Sequence, residues 1–203
     1  MPEFSKDESI LSSEYNSKLL VDDRPIPPDP LNIKDGWADE KSGITKWPSI
    51  YYHDISKYIQ ILVPDFIARL NREYKLGKAY RYFTDDLVRE IFYRDIENTS
   101  LCILKCRVIH SQSMRSTAYQ TWAVITKDID EDTPGGDVKA AYCSCSAGLG
   151  GMCNDIVGLL FRIESAVTKG LTKPSKTSLL SQEKIFNSLG WGKSIYDPGF
   201  FFV

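Results

Sequence analysis

The sequence predicts an α+β fold, on three observations. Apolar residues recur at helical spacing around residues 54–62, the period shifts towards two between residues 87 and 143, and an apolar helical stripe begins at Ile156. Successive strands bounded by helices make N-terminal helices, an antiparallel meander of about four strands, a tight turn and a packed helix.

The elements follow in order. Residues 1–45 contain Arg24-Pro-Ile-Pro-Pro-Asp-Pro30, five Lys/Arg against ten Asp/Glu, and no sustained apolar period. Such a segment buries too little surface to offset the entropy of ordering, and is expected to be an acidic, disordered or extended lead. From Trp47-Pro48 the pattern changes: Ile55, Tyr58, Ile59 and Leu62 share one helix face, which ends before Pro64. A second helical stretch is expected from Asp65 to Tyr74, interrupted by Gly77 ahead of Ala79-Tyr-Arg-Tyr-Phe83.

Leu87–Tyr93, Ser100–Ile109, Tyr119–Thr126 and Val138–Cys143 are the candidate strands. Asp130-Glu-Asp-Thr-Pro-Gly-Gly136 is the clearest turn between them, with a rigid proline and glycines able to take positive φ. Ile156, Val157, Leu159, Leu160, Ile163 and Val167 then mark a helix, with Gly170 as its C-terminal stop. Beyond it lies an irregular tail, residues 171–203, with a weak helical patch at 179–189. The domain plan is therefore a lead at 1–45, one α+β domain at 46–170 and the tail.

Composition is that of an ordinary soluble domain, 42% apolar and 26% charged. No run of about 18 apolar residues exists, and the N-terminus lacks a secretory apolar core, which argues against membrane insertion and for an intracellular, nuclear or cytoplasmic protein. Five cysteines in a reducing compartment read as free thiols, some of them on metal.

The chemistry concentrates in Tyr142-Cys-Ser-Cys-Ser-Ala-Gly-Leu-Gly-Gly-Met-Cys-Asn-Asp155. Zn2+ held by protein alone takes four thiolate, imidazole or carboxylate ligands; Cys143, Cys145 and Cys153 supply three, and Asp155 stands where a histidine is expected. The glycines between Ser146 and Met152 let the backbone fold around the site and return Cys153. Cys153 and Asp155 fall at the start of the helix, where partial positive charge favours thiolate and carboxylate. Two readings remain open: a structural zinc, or a metal-free knuckle held by its core.

Cys-x-Cys, a glycine-bearing loop and a cysteine two residues before a fourth ligand, leading into a helix, resemble the SWIM-type zinc finger. Tyr74-Lys75, Ala79-Tyr80, Phe83, His110-Ser-Gln112, Ala147-Gly-Leu-Gly-Gly151 and Leu159-Leu-Phe161 extend the likeness to metazoan SWIM proteins, over roughly residues 47–170. Some of those proteins continue into a YqaJ-type recombinase nuclease, and the module also accompanies Mutator-type transposases and chromatin-remodelling ATPases. The resemblance implies a ββα zinc finger at about 137–168 with DNA or protein contact. Asp155 in place of histidine departs from the pattern, and so does the sequence after Thr177, where a nuclease domain has no room. An adaptor with a degenerate knuckle, or a nuclease-less remnant of a recombinase- or transposase-associated protein, are the alternatives.

Arg69, Arg72, Lys75, Lys78 and Arg81, interleaved with Tyr74, Tyr80 and Tyr82, are candidate phosphate- and base-contacting residues. Their three-residue period drifts about 60° per step around a helix, so a solvated surface competes with that reading. Lys105, Arg107 and Arg115 form a second, weaker basic group. His110 is a conceivable substitute metal ligand but fits a surface histidine better, and His53 reads as structural or solvated. Cys102 and Cys106 stand about 13 Å apart on a strand, too far to share an ion, and read as buried thiols. With two histidines, no His-Glu-x-x-His, no phosphate-binding Gly loop with Lys and no nucleophile motif, an enzyme is not expected, nor a small-molecule substrate.

Overall fold

The computed structural model describes residues 13–21, 24–25, 29–64, 77–109, 118–129 and 133–172. Residues 13–18 are helical and lead into a short ribbon, β1 (Leu20–Val21) paired antiparallel with β2 (Arg24–Pro25). A one-turn helix, α1 (Glu40–Gly43), is capped by Asp39, whose carboxylate accepts the Ser42 N–H at 2.8 Å. Helix α2 (Tyr52–Leu62) follows, started by Asp54, which accepts the Tyr51 N–H at 2.8 Å, and buried along Ile55, Tyr58 and Ile59. Helix α3 (Lys78–Thr84) begins directly after Gly77.

Four strands then form an antiparallel meander: β3 (Phe92–Asp95), β4 (Leu101–Val108), β5 (Tyr119–Thr126) and β6 (Val138–Cys143), in spatial order β3-β4-β5-β6. Helix α4 (Asn154–Thr168) closes the described part, and Gly170 takes φ 71° just beyond it. The protein is thus α+β, with the expected sheet and final helix. Among the described residues no helix is long and apolar enough to cross a membrane.

One face of the sheet carries the main core. Leu104, Val108, Ala123, Ile125 and Ala141 pack with Ile55, Ile59, Ile156, Leu159, Leu160 and Ile163 from α2 and α4. Helix α4 is covered almost all round: Gly158 lets α3 approach so closely that a Cβ there would stand 3.1 Å from Tyr82 Cβ, and Phe161 lies parallel to Tyr52 and edge-on to Tyr80. Arg162 on this helix is buried, bonding both carboxylate oxygens of Glu40 at 3.1 and 2.9 Å and the Val88 and Arg89 carbonyls.

The opposite face of the sheet is not left to water. Ile103, Trp122, Val124 and Ala140 are buried there under Tyr15, Leu19, Val21, Leu31, Ile33 and Trp37. This corrects the expectation for residues 1–45: their described parts are ordered against the sheet. The reason lies in the strands, whose outward positions are as apolar as their inward ones and need cover. Some of the lead's acidic groups are spent internally, Asp29 accepting from Tyr15 and Glu40 pairing with Arg162.

The first strand also differs from expectation. Pairing as a strand begins at Phe92 rather than Leu87; before it there is an isolated Val88–Val108 bridge, preceded by Asp86 at φ 55°. The Val88 and Arg89 carbonyls are bonded by the Arg162 guanidinium instead of a neighbouring strand. The helix expected at 65–74 and the tail patch at 179–189 lie outside the described residues, and the chain divides between Thr172 and Lys173.

Candidate metal centre

Strand β6 ends at Cys143, where pairing to β5 is extended by the Ser144 N–H, donated to the Gln120 carbonyl at 2.9 Å. The chain then turns. Gly148 donates to the Cys145 carbonyl at 2.9 Å, residues Gly148–Gly150 make a single 3-10 turn, and Gly151 reverses direction at φ 74°. Met152 leads to Cys153, the N-cap of α4, and Asp155 falls in that helix's first turn. From the opposite side, the buried Tyr58 hydroxyl of α2 donates to the Gly151 carbonyl at 2.8 Å and holds the loop to the core. Burial, and then the charge at Cys153, push Tyr58 above its ordinary phenol range, which keeps it a neutral donor.

Strand end, loop and helix start together bring one ligand atom from each of Cys143, Cys145, Cys153 and Asp155 within 4.8 Å of one another. Cys143, Cys153 and Asp155 are buried and Cys145 is partly exposed. Ligands on a tetrahedral Zn2+ with bonds of about 2.3 Å lie roughly 3.8 Å apart. The Cys143 Sγ–Asp155 Oδ2 distance is 3.2 Å and the Cys153 Sγ–Asp155 Oδ2 distance 3.8 Å, so the donor set fits a small ion with little rearrangement. These four residues form a group able to hold a metal ion.

The site's electrostatics follow from crowding. Cys143 is pushed far above the ordinary thiol range by its hydrogen bond with Cys153, then by burial and the Cys153 charge. Cys145 is pushed up to about 11, first by burial and then by the Cys143 charge. In the metal-free protein Cys143 and Cys145 are therefore held towards their protonated forms, and the sulfurs of Cys143 and Cys153 both lie against Asp155 Oδ2. The Cys145 N–H donates to Cys143 Sγ at 3.4 Å, a contact that strengthens when the sulfur is a thiolate. Metal binding must displace the thiol protons, so affinity rises with pH.

The other candidates sit apart. Lys78 and Arg81 are exposed on α3, Lys78 lying 6.0 Å from the Tyr82 ring centre, while Arg69, Arg72, Lys75, Arg115 and His110 lie outside the described residues. Lys105 is 3.8 Å above the Trp37 ring, on the face opposite the main core. His53 is largely exposed and rests 3.0 Å from Asp54. Cys102 and Cys106 are fully buried free thiols, both raised above their ordinary range chiefly by burial.

Sequence reasoning missed two residues. Tyr58 reads in the sequence only as part of an apolar stripe, and nothing in its spacing signals the bond to Gly151. Thr121 reads in the sequence as one residue of a strand, yet it is buried directly opposite Cys143 in the β5–β6 register, a relation legible only once pairing is fixed. No family model, curated protein or solved structure matches the chain.

Proposed function

We propose that this chain is a zinc-binding interaction module whose metal is structural and whose partner is DNA or a nucleoprotein. The observation that carries the reading is the convergence of three cysteine sulfurs and one carboxylate oxygen within 4.8 Å. A thiolate-rich donor set favours Zn2+ over hard cations such as Mg2+ or Ca2+. All four donors come from the protein, which leaves no position for a substrate water and argues for a structural, non-enzymatic role. When bound, the ion would pin the end of β6 to the start of α4 through Cys143, Cys145, Cys153 and Asp155. The three thiolates and the carboxylate would give the loaded site a net charge of −2. The resemblance to SWIM-type zinc fingers and the exposed Lys78 and Arg81 on α3 support nucleic-acid contact.

A second reading, a metal-free adaptor, is favoured by one observation: the Cys143 and Cys153 thiols already find a partner in Asp155. Metal analysis of the purified chain separates the two. One equivalent of zinc is expected in the wild type, lost in Asp155→Ala and retained in Asp155→His; zinc in Asp155→His but none in the wild type would sink the metal assignment. For the partner, duplex DNA affinity should fall steeply with salt, and a flat response would count against phosphate contact.

A further inference from the structure

Cys106 on β4, Thr121 on β5 and Cys143 on β6 form a row across the sheet, because Cys106 pairs with Thr121 and Thr121 with Cys143 in the strand register. Residues directly opposite one another in an antiparallel sheet point to the same face, with Cβ atoms about 4.5–5.5 Å apart. Thr121 therefore stands beside the first metal ligand on the core side of the sheet. It is 1% exposed, and its Oγ1 has no hydrogen-bond partner among the described residues. The flanking Cys106 is a buried thiol, at best a weak partner.

A buried hydroxyl without a partner is costly, by roughly 1–3 kcal/mol. Such an orphan calls for an explanation in another state of the protein. In the metal-free state Cys143 is a neutral thiol that donates its proton to Asp155, and neutral sulfur is a poor acceptor. Once Cys143 becomes a thiolate its sulfur carries the charge and accepts strongly.

We propose that Thr121 is a positioning residue of the metal centre, its Oγ1–H donating to the metal-bound Cys143 thiolate and setting that ligand's strength. The inference rests on the zinc reading above and deepens it: the orphaned hydroxyl finds an acceptor in the Cys143 sulfur once that sulfur is a metal ligand. The hydrogen bond stabilises buried negative charge in a site of net charge −2, and holds Cys143 at the end of β6 in the orientation the ion needs. Outer contacts of this kind are worth about 10- to 100-fold in metal affinity.

The test uses Thr121→Val, which keeps the β-branched shape, and Thr121→Ser, which keeps the hydroxyl. Zn2+ affinity by chelator competition, the sulfur-to-Co2+ charge-transfer band of the Co2+-substituted protein and the metal-free melting temperature are measured for each. Thr121→Val should bind Zn2+ about tenfold more weakly. Its charge-transfer band should move to lower energy, since the thiolate has lost a hydrogen bond, while its metal-free melting temperature should stay level or rise. Thr121→Ser should restore affinity and band. The proposal is overturned if the wild type binds Co2+ and Thr121→Val matches it in affinity and band, or if Thr121→Val loses metal-free stability and affinity with the band unmoved, which marks a purely structural residue. No binding of Zn2+ or Co2+ by the wild type overturns the metal centre itself and this inference with it.

Discussion

Gly148 admits no side chain. A Cβ there would stand 1.7 Å from the Cys143 carbonyl oxygen, with backbone rather than a flexible side-chain tip in the way. Gly150, two residues on in the same turn, has nothing within 4 Å of an added Cβ. The pair makes a controlled comparison: Gly148→Ala should destabilise the protein by about 1–3 kcal/mol and weaken metal binding, because the loop must move off Cys143. Gly150→Ala should stay within about 0.5 kcal/mol of wild type by chemical denaturation. At this scale the sequence was informative about ligands and silent about supports. Cysteine and glycine spacing pointed to Cys143, Cys145, Cys153 and Asp155, whose ligand atoms converge in the folded chain. Thr121 and Tyr58 act through residues 22 and 93 positions away, and no local pattern encodes such relations.

Among the elements, α4 departs most from the usual surface helix. Its apolar stripe is readable from spacing, yet the charged Arg162 and Glu164 outside that stripe are buried as well. The covering comes from α3 and from the Glu40 turn, and the guanidinium joins α4 to both α1 and the loop before β3. Glu40 also accepts the Ile91 N–H at 3.2 Å, so the pair is hydrogen-bonded on both sides. Arg162→Met should cost about 3–5 kcal/mol by leaving a carboxylate buried without its partner. The double variant Glu40→Leu with Arg162→Met should recover much of the loss, and a thermodynamic cycle on the four proteins measures the coupling. Strands β5 and β6 were predicted to the residue because alternation and turns agree there; β3 was not, since a distant arginine takes the carbonyls that strand pairing would otherwise use.

Across the described residues, the sheet is a middle layer. Helices cover one side and the N-terminal segment covers the other, which the acidic, proline-bearing composition of residues 1–45 concealed because it describes that segment alone and not the apolar surface awaiting it. Lys57 of α2 reaches across to Asp137, ahead of β6, at 2.7 Å, and Lys139 stands 3.7 Å from the same carboxylate. The Lys57 hydrogen bond first, and then the two lysine charges, hold Asp137 below its ordinary value. A carboxyl whose folded value lies below its unfolded one stabilises the fold above the unfolded value, near about 4, and loses that contribution as pH falls through the folded value. Melting temperatures of metal-free wild type and Asp137→Asn should therefore differ at neutral pH and converge in acid; a gap that persists or widens below pH of about 3 would contradict the assignment.

All four candidate ligands lie within residues 143–155, while the core that presents them is assembled from contacts spread over the described chain. Closing so short a loop is entropically cheap even without the fold, so the denatured chain would compete with the folded one for an ion. An ion that binds both sides of the unfolding equilibrium would show only the difference between the two affinities as thermal stabilisation. Dissociation constants inferred from melting shifts will therefore look weaker than those from direct titration, and the size of that discrepancy gauges how much of the site's affinity comes from preorganisation by the sheet and helix.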